Sequence, residues 1–312
     1  MREQAQVPEA EFESYYGRQI IKTPTWKQPD VPLYLFLGGA AGASALLAEG
    51  AAATGRPALA TASKAVAAGG AGLSTVALIH DLGRPSRFLN MLRVFRPTSP
   101  MSMGSWILAP FAGLSTASAM SHATGIFPRL GRMAGMGAAA LGPAMASYTG
   151  ALIAGNAVPA WHEAYRELPF VFIGSGAAAA GGIAMTAVPT DQAGPARKMM
   201  IGGAAVELVS FELLRRRLGE LAEPYEQNRP GTLLKAARVC TVAGAAASVI
   251  GGRSRTVSVL GGLAAATGSL LTRFGVFQAG IASAKDPKYT VRPQRERLNA
   301  GPSINARDDV AI

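Results

Sequence analysis

The sequence predicts an all-α fold: a polytopic transmembrane helix bundle of about eight spans with both termini cytoplasmic. Three observations predict it. Residues 134–156 carry no acidic or basic side chain over 23 positions, and a helix needs only ~20 mostly apolar residues to cross a bilayer. Of the 312 residues, 49% are hydrophobic and 16% charged, against roughly 25% charged in soluble domains. The basic residues gather between apolar runs, where loop charges set membrane orientation. A soluble helical protein rich in Ala and Gly would need a polar face recurring every helical turn, and segments 134–156 and 168–188 have none. The mean hydropathy of +0.22 is modest because polar tails and alanine-rich, leucine-poor helices dilute it.

The elements follow in order. Residues 1–31 form a polar tail that contains Pro8, Pro24 and Pro29. It lacks the basic-then-apolar order of a cleavable signal, so insertion is expected to begin at the first span. The bundle occupies 32–281, with spans at 32–53, 57–80, 103–124, 134–155, 168–188, 198–217, 233–251 and 256–281. Gly83 and Pro85 stop the second span, and the prolines at 97 and 100 start the third. The Gly, Ala and Ser content of the fourth lets helices pack closely where no water drives them together. Residues 282–312 form a second polar tail without apolar periodicity, expected to be irregular and to lie over a surface.

Loop charge orients the bundle. Twenty basic residues fall on the side of the N-terminus, among them Arg84, Arg87, Arg93 and Arg96, whereas seven fall on the other side. That asymmetry puts both tails and the loops at 83–101 and 218–232 in the cytoplasm of a multi-pass plasma-membrane protein. It also accounts for the net charge of +11 without a nucleic-acid partner, since the charges lie in loops between apolar spans. The bilayer lipid is the expected surrounding.

Metal chemistry is expected to lie outside this chain. Cys240 is the single cysteine, too few for a protein-held iron–sulfur cluster or a thiolate zinc site. A membrane b-type haem needs two His at similar depth in facing helices. His80 ends the second span, His122 ends the third at the opposite surface, and His162 lies in a loop. No haem, no iron–sulfur cluster and no metal site is expected here.

The densest polar stretch is Gly83-Arg-Pro-Ser-Arg-Phe88, continuing to Pro97-Thr-Ser-Pro-Met-Ser-Met-Gly-Ser-Trp106. By physics alone it is either a basic surface loop or a rigid docking platform. Together with Tyr34-Leu-Phe-Leu-Gly-Gly-Ala-Ala-Gly42, Ser147-Tyr-Thr-Gly150, Pro159-Ala-Trp161 and Leu271-Thr-Arg-Phe-Gly-Val-Phe-Gln-Ala-Gly280, it resembles the NrfD/PsrC family. These are membrane subunits of polysulfide-reductase-like molybdoenzymes. The resemblance spans residues 31–281. It implies a haem-free subunit that binds quinone or menaquinone and works beside a ferredoxin-like iron–sulfur subunit and a molybdopterin catalytic subunit. The complex would be formate dehydrogenase- or polysulfide reductase-like, with Arg84, Arg87, Arg93 and Arg96 as the partner-docking face.

A quinone head needs hydrogen-bond donors for its carbonyl oxygens, and Tyr supplies one on an aromatic body suited to the membrane interface. The resemblance puts Tyr148 at the family's quinone-contacting position; otherwise it is an aromatic belt anchor. Tyr34, Asp81, His80 and Arg273 complete the candidate pocket. The first-helix partner stays open, because some family members carry His or Asn where this chain has Val31 and Tyr34.

Ionisable residues inside spans cost ~2.5–3.5 kcal/mol each on insertion scales, so they are functional candidates by default. Glu49 and Lys64 flank the Thr54-Gly55-Arg56 turn at matched depth, as an ion pair or a proton path. Glu207 is mid-span, as a proton relay or a structural hydrogen-bonding group, and Glu212 is interfacial. Arg273 can pair with a bundle carboxylate. Two further readings compete with the redox subunit: an ion- or proton-coupled transporter or channel without redox role, using Glu49, Lys64, Glu207 and Arg273, and an anchor lacking a quinone site.

The topology is testable in a Cys240→Ser background. A membrane-impermeant maleimide applied to intact cells is expected to label a cysteine placed beside Arg255 and to spare one at Ser303; the opposite pattern reverses the orientation.

Overall fold

The computed structural model describes residues 19–84, 86–252 and 254–299. The N-terminal tail through Arg18, the loop residues Pro85 and Arg253, and the C-terminal tail from Ala300 on, with Arg307, lie outside the described residues.

Every regular element among the described residues is helical. Eight long helices dominate: α1 (Asp30–Ala53), α2 (Pro57–Leu82), α4 (Pro100–Thr124), α5 (Pro128–Ala154), α7 (Leu168–Ala187), α8 (Gly194–Leu218), α10 (Asn228–Ile250) and α11 (Arg255–Lys285). Short helices join them at one end of the bundle, α3 (Ser86–Met91), α6 (Pro159–His162) and α9 (Glu223–Glu226), and α12 (Lys288–Asn299) follows α11. Five of the long helices, α1, α2, α7, α10 and α11, are long and apolar enough to cross a membrane. Each of the eight overlaps one span expected from the sequence.

Several helices begin earlier than the apolar runs. α5 starts at Pro128 and α4 at Pro100. Proline suits the first helical position, where its missing N–H has no intrahelical acceptor to lose. Polar residues such as Arg129 and Arg132 then extend the helix beyond the apolar stretch. Two departures are larger. The expected loop at 83–101 contains α3, and the second tail, expected to be irregular, forms α12. Its anchor is ionic: Lys288 Nζ lies 2.6 Å from Glu223 Oε2, Tyr289 Oη donates to the same oxygen at 3.0 Å, and Arg292 Nη1 reaches Glu220 Oε2 at 3.0 Å. The Lys288 ammonium, and after it the Tyr289 hydroxyl, hold the Glu223 carboxyl below the usual carboxylate range.

The face holding the start of α1 and the end of α2 is termed proximal, the opposite face distal. Proximal contacts include Arg217 with Glu167 and Tyr225 Oη with the Ala160 carbonyl. Distal ones include Arg255 with the Val188 carbonyl and Ala58 N–H with Gln192. Consecutive long helices therefore run antiparallel.

α1 is the hub, packing against α2, α5, α7 and α11. It has no polar face, and its buried residues lie all round the helix, as expected of a helix enclosed by others. What allows this enclosure is backbone proximity. A side chain on Gly42 of α1 would strike the Gly142 carbonyl of α5, and one on Gly142 would strike Gly42. Gly174 of α7 meets Gly203 of α8 in the same way, as does Gly182 of α7 with Gly262 of α11, and a side chain on Gly176 of α7 would strike the Gly39 carbonyl of α1. Helices in lipid associate through such close packing rather than hydrophobic expulsion.

Gly142→Ala is expected to lower thermal stability in detergent, because backbone faces the added methyl and overpacking costs ~1–3 kcal/mol. Gly113→Ala, in open space on α4, is expected to be neutral or mildly stabilising. Thermal unfolding of both variants checks the contrast; equal behaviour would remove the Gly42–Gly142 contact from the packing account.

Candidate functional site

Two tyrosines meet near the proximal end of the bundle. Tyr34 lies one turn into α1 and Tyr148 near the end of α5; both are buried, with ring centroids 6.5 Å apart and planes at 69°. The Tyr148 ring lies on Gly104 of α4, where any side chain would occupy the ring's place. Its hydroxyl is buried and has no hydrogen-bond partner among the described residues. Leaving a buried polar group unpaired costs ~1–3 kcal/mol.

Asp81 and His80 also lie proximally, but they bond to residues 27–30. Asp81 Oδ1 accepts the Lys27 backbone N–H at 2.8 Å, and His80 Nδ1 lies 2.6 Å from Asp30 Oδ2 with its side chain 72% exposed. These contacts hold the segment before α1 against the end of α2. Trp26 of that segment stacks on Trp161 at 5.7 Å, and Trp161 Nε1 donates to the Val276 carbonyl at 2.8 Å. The structure thus brings Tyr34 and Tyr148 together and gives Asp81 and His80 partners next to α1.

The 83–101 stretch is folded back on the start of α4. Ser102 Oγ donates to the Val94 carbonyl at 3.1 Å and accepts the Arg96 N–H at 3.0 Å. Trp106 Nε1 also reaches Val94 O at 3.3 Å, and Phe95 packs edge-on to Trp106 at 5.5 Å. Arg84, Arg87, Arg93 and Arg96 are all exposed. The order of this loop comes from the Ser and Trp of the motif, and its charge is presented outward.

Distally, Lys64 Nζ lies 2.5 Å from Glu49 Oε1 and donates to Ser118 Oγ at 2.7 Å. The pair lines a cavity of about 720 Å³ that also touches His122 and Arg132. His122 Nε2 is 2.7 Å from Thr61 Oγ1 at its rim.

A second polar layer crosses the other half of the bundle. Arg273 on α11 is fully buried; its Nη2 donates to the Phe172 carbonyl at 2.7 Å and its guanidinium lies 3.8 Å from the Phe172 ring centroid. Its Nε and Nη1 have no partner among the described residues. Gly39 of α1 leaves room for the guanidinium, about 7.5 Å further along the helix than Tyr34 at ~1.5 Å per residue. Arg273 is therefore deeper than the tyrosine pair. Glu207 on α8 is 4% exposed and accepts from Thr272 Oγ1 at 2.7 Å, while its Oε2 has no partner among the described residues. Glu212 pairs with Arg215 and Arg216.

Sequence reasoning missed the cavity of about 380 Å³ beside Glu207, bounded by α8, α9, α10 and α11. Its residues Phe211, Tyr225, Arg238 and Thr272 were not singled out. One signal was present: Arg238 interrupts an apolar span, and such residues mark polar pathways or pockets. The Trp26–Trp161 stack was missed as well, because residues 135 positions apart share no local pattern.

A family model described as "Polysulphide reductase, NrfD" matches residues 22–190, just over half of the chain. The match covers Tyr34, the 83–106 motif, Tyr148 and Trp161, and it ends before α8. No curated protein matches the chain. With its apolar helices, the match makes this a multi-pass membrane protein.

The Glu49–Lys64 contact predicts a specific stability pattern. Lys64→Met leaves Glu49 without its partner and is expected to cost ~1–3 kcal/mol, less than breaking a fully buried pair, because the two side chains keep 11% and 20% of their surface exposed. Adding Glu49→Gln is expected to restore most of that loss. Thermal unfolding of the two singles and the double variant measures the coupling, and additive losses would mean that the contact contributes nothing.

Proposed function

The chain belongs to the NrfD family, and from that premise we propose that it is the membrane anchor and quinone- or quinol-binding subunit of a molybdopterin and iron–sulfur oxidoreductase complex. The carrying observation is the buried, unpartnered Tyr148 hydroxyl set edge-on against Tyr34. Menaquinone or a related quinone supplies two carbonyl oxygens that accept hydrogen bonds and a ring that carries two electrons. The residues fit that group. Tyr148 offers a donor in a dry setting, Tyr34 an aromatic wall, and Arg273 two further N–H-bearing atoms deeper in the same bundle. Asp81 and His80, at the proximal end, are the groups through which a proton reaches or leaves the site.

The exposed Arg84, Arg87, Arg93 and Arg96 make the proximal face the docking surface for a ferredoxin-like iron–sulfur subunit, with the molybdopterin catalytic subunit beyond it. Loop charge makes that face cytoplasmic. All eight long helices span the bilayer in this reading. Glu49, Lys64 and Glu207 serve proton movement rather than electron transfer. The distal cavity ending at Glu49 and Lys64 also favours a second reading, a proton- or ion-coupled transporter without redox role.

Tyr148→Phe separates the two. In the assembled complex the variant is expected to keep all subunits and to lose about fivefold in quinone turnover, the worth of one hydrogen bond of ~1 kcal/mol. Unchanged kinetics across a full quinone titration would remove Tyr148 from the site. Purification without iron–sulfur and molybdopterin subunits would favour the transporter.

A further inference from the structure

The half of the bundle beyond the family match holds a cavity of about 380 Å³ that the tyrosine site does not use. That volume lies within the range of small-molecule pockets, ~300–1,000 Å³. Acidic and basic side chains both line it, and their pairing decides which of them are free. Glu212 gives one carboxylate oxygen to Arg215 and the other to Arg216, and Arg215 also holds Glu226. Glu207 is enclosed and bonded to Thr272, with its second oxygen buried. Lys235 and Arg238 remain. Both line the cavity, both are exposed, and neither has a hydrogen bond or ion pair among the described residues.

Unpaired cations within a span are costly and point to a function. Lys235 and Arg238 stand three residues apart on α10, so they share one face of the helix. Side chains lean toward the start of their own helix, and α10 starts at the proximal end. Both long side chains therefore reach toward the proximal surface while their stems stay in apolar surroundings. One turn beyond Arg238 the same face becomes apolar at Val242, which is exposed. α8 faces the cavity with Leu208, and two turns further along that stripe Ile201 is exposed as well. The cavity is thus cationic at its proximal end and leads into apolar surface toward the middle of the bundle.

We propose that this cavity binds one anionic phospholipid, whose phosphate accepts hydrogen bonds from Lys235 and Arg238 and whose acyl chains lie along Val242, Leu208 and Ile201. Charge complementarity selects the occupant. The two carboxylates within reach are neutralised by Arg215 and Arg216, so the uncommitted charge is positive twice over. A zwitterionic lipid would bring a cation of its own to that end. Basic pockets between transmembrane helices collect anionic head groups in this way. The proposal takes α8 and α10 to cross the bilayer, as in the reading above, and does not depend on the quinone.

The test uses the full-length chain, delipidated in dodecyl maltoside, and phosphatidylglycerol or phosphatidylcholine carrying the same fluorescent acyl chain, with empty micelles as the blank. Phosphatidylglycerol is expected to bind saturably and about thirtyfold tighter than phosphatidylcholine, the combined pull of two cations on an anionic lipid. Lys235→Gln with Arg238→Gln is expected to erase that preference, and the charge-preserving pair Lys235→Arg with Arg238→Lys to keep it. Arg229→Gln with Lys285→Gln removes as much charge from exposed proximal positions outside the cavity and is expected to keep it too. Inorganic phosphate, which lacks the chains, is expected to leave bound phosphatidylglycerol in place. Tyr148→Phe is expected to leave lipid binding unchanged, so this site and the tyrosine site fail independently. Equal affinity for the two lipids, equal losses in the two glutamine pairs, loss of the preference in the charge-preserving pair, or displacement by inorganic phosphate would each overturn the proposal.

Discussion

Backbone-to-backbone contact at paired glycines is the constraint on which this bundle depends. In lipid, apolar side chains gain nothing by leaving hydrocarbon for protein, so association rests on dispersion, interhelical hydrogen bonds and the closeness that small residues permit. α1 shows the consequence most directly. It sits among four helices, and at Gly39 and Gly42 it touches the backbones of α7 and α5 with no side chain between them. The same device joins α7 to α8 at Gly174 and Gly203, and α7 to α11 at Gly182 and Gly262. α7 is thereby fixed between the two halves of the molecule. The candidate side chains occupy places that this packing leaves: the Tyr148 ring uses the space over Gly104, and the Arg273 guanidinium the space beside Gly39.

Tight packing also explains how a buried guanidinium is tolerated. Arg273 is completely enclosed, and its cost is offset by the Phe172 carbonyl and by the face of the Phe172 ring. A cation against an aromatic face gains more when desolvated. Both partners come from one residue of α7, so the α7–α11 contact that encloses the charge also supplies its compensation. Glu207 sits across the same layer with Thr272 as its donor. The two ionisable groups are neighbours in the bundle, and each keeps atoms without a partner among the described residues. That arrangement is a poor way to build stability and a good way to hold polar atoms available at depth.

How much of this was legible in the sequence depends on how local the cause was. The eight long helices were readable from their apolar runs, five of them long and apolar enough to cross a membrane, and Gly83 stops α2 with its own left-handed backbone, φ 72°. The Glu49–Lys64 pair was readable because a three-residue turn makes the depths of its two helices match. α12 was not, since its hold is on Glu220 and Glu223, more than sixty positions away. The starts of α5 and α10 were misjudged because each helix begins among polar residues ahead of its apolar run. Tyr34 and Tyr148 were both named, but their edge-on contact arises from α1–α5 packing and from Gly104. The cavity beside Glu207 had no local cause at all: it is the space left among α8, α10 and α11 with α9 across its end.

The proximal end ties these regions together through one aromatic and backbone chain. Trp26 stacks on Trp161, whose indole N–H holds the Val276 carbonyl of α11, three residues from Arg273. Ala160, beside Trp161, takes the Tyr225 hydroxyl on its carbonyl, and the Tyr225 ring is a wall of the cavity beside Glu207. The segment carrying Trp26 is in turn held by Asp81 and His80 at the end of α2. The residues 27–30 contact, the α6 turn and the far cavity are therefore parts of one connected surface beneath the bundle. This is spatial continuity, a different thing from energetic coupling: Trp161 touches the N-terminal segment and α11 at once, and Trp26 also stacks directly on Phe277 of α11.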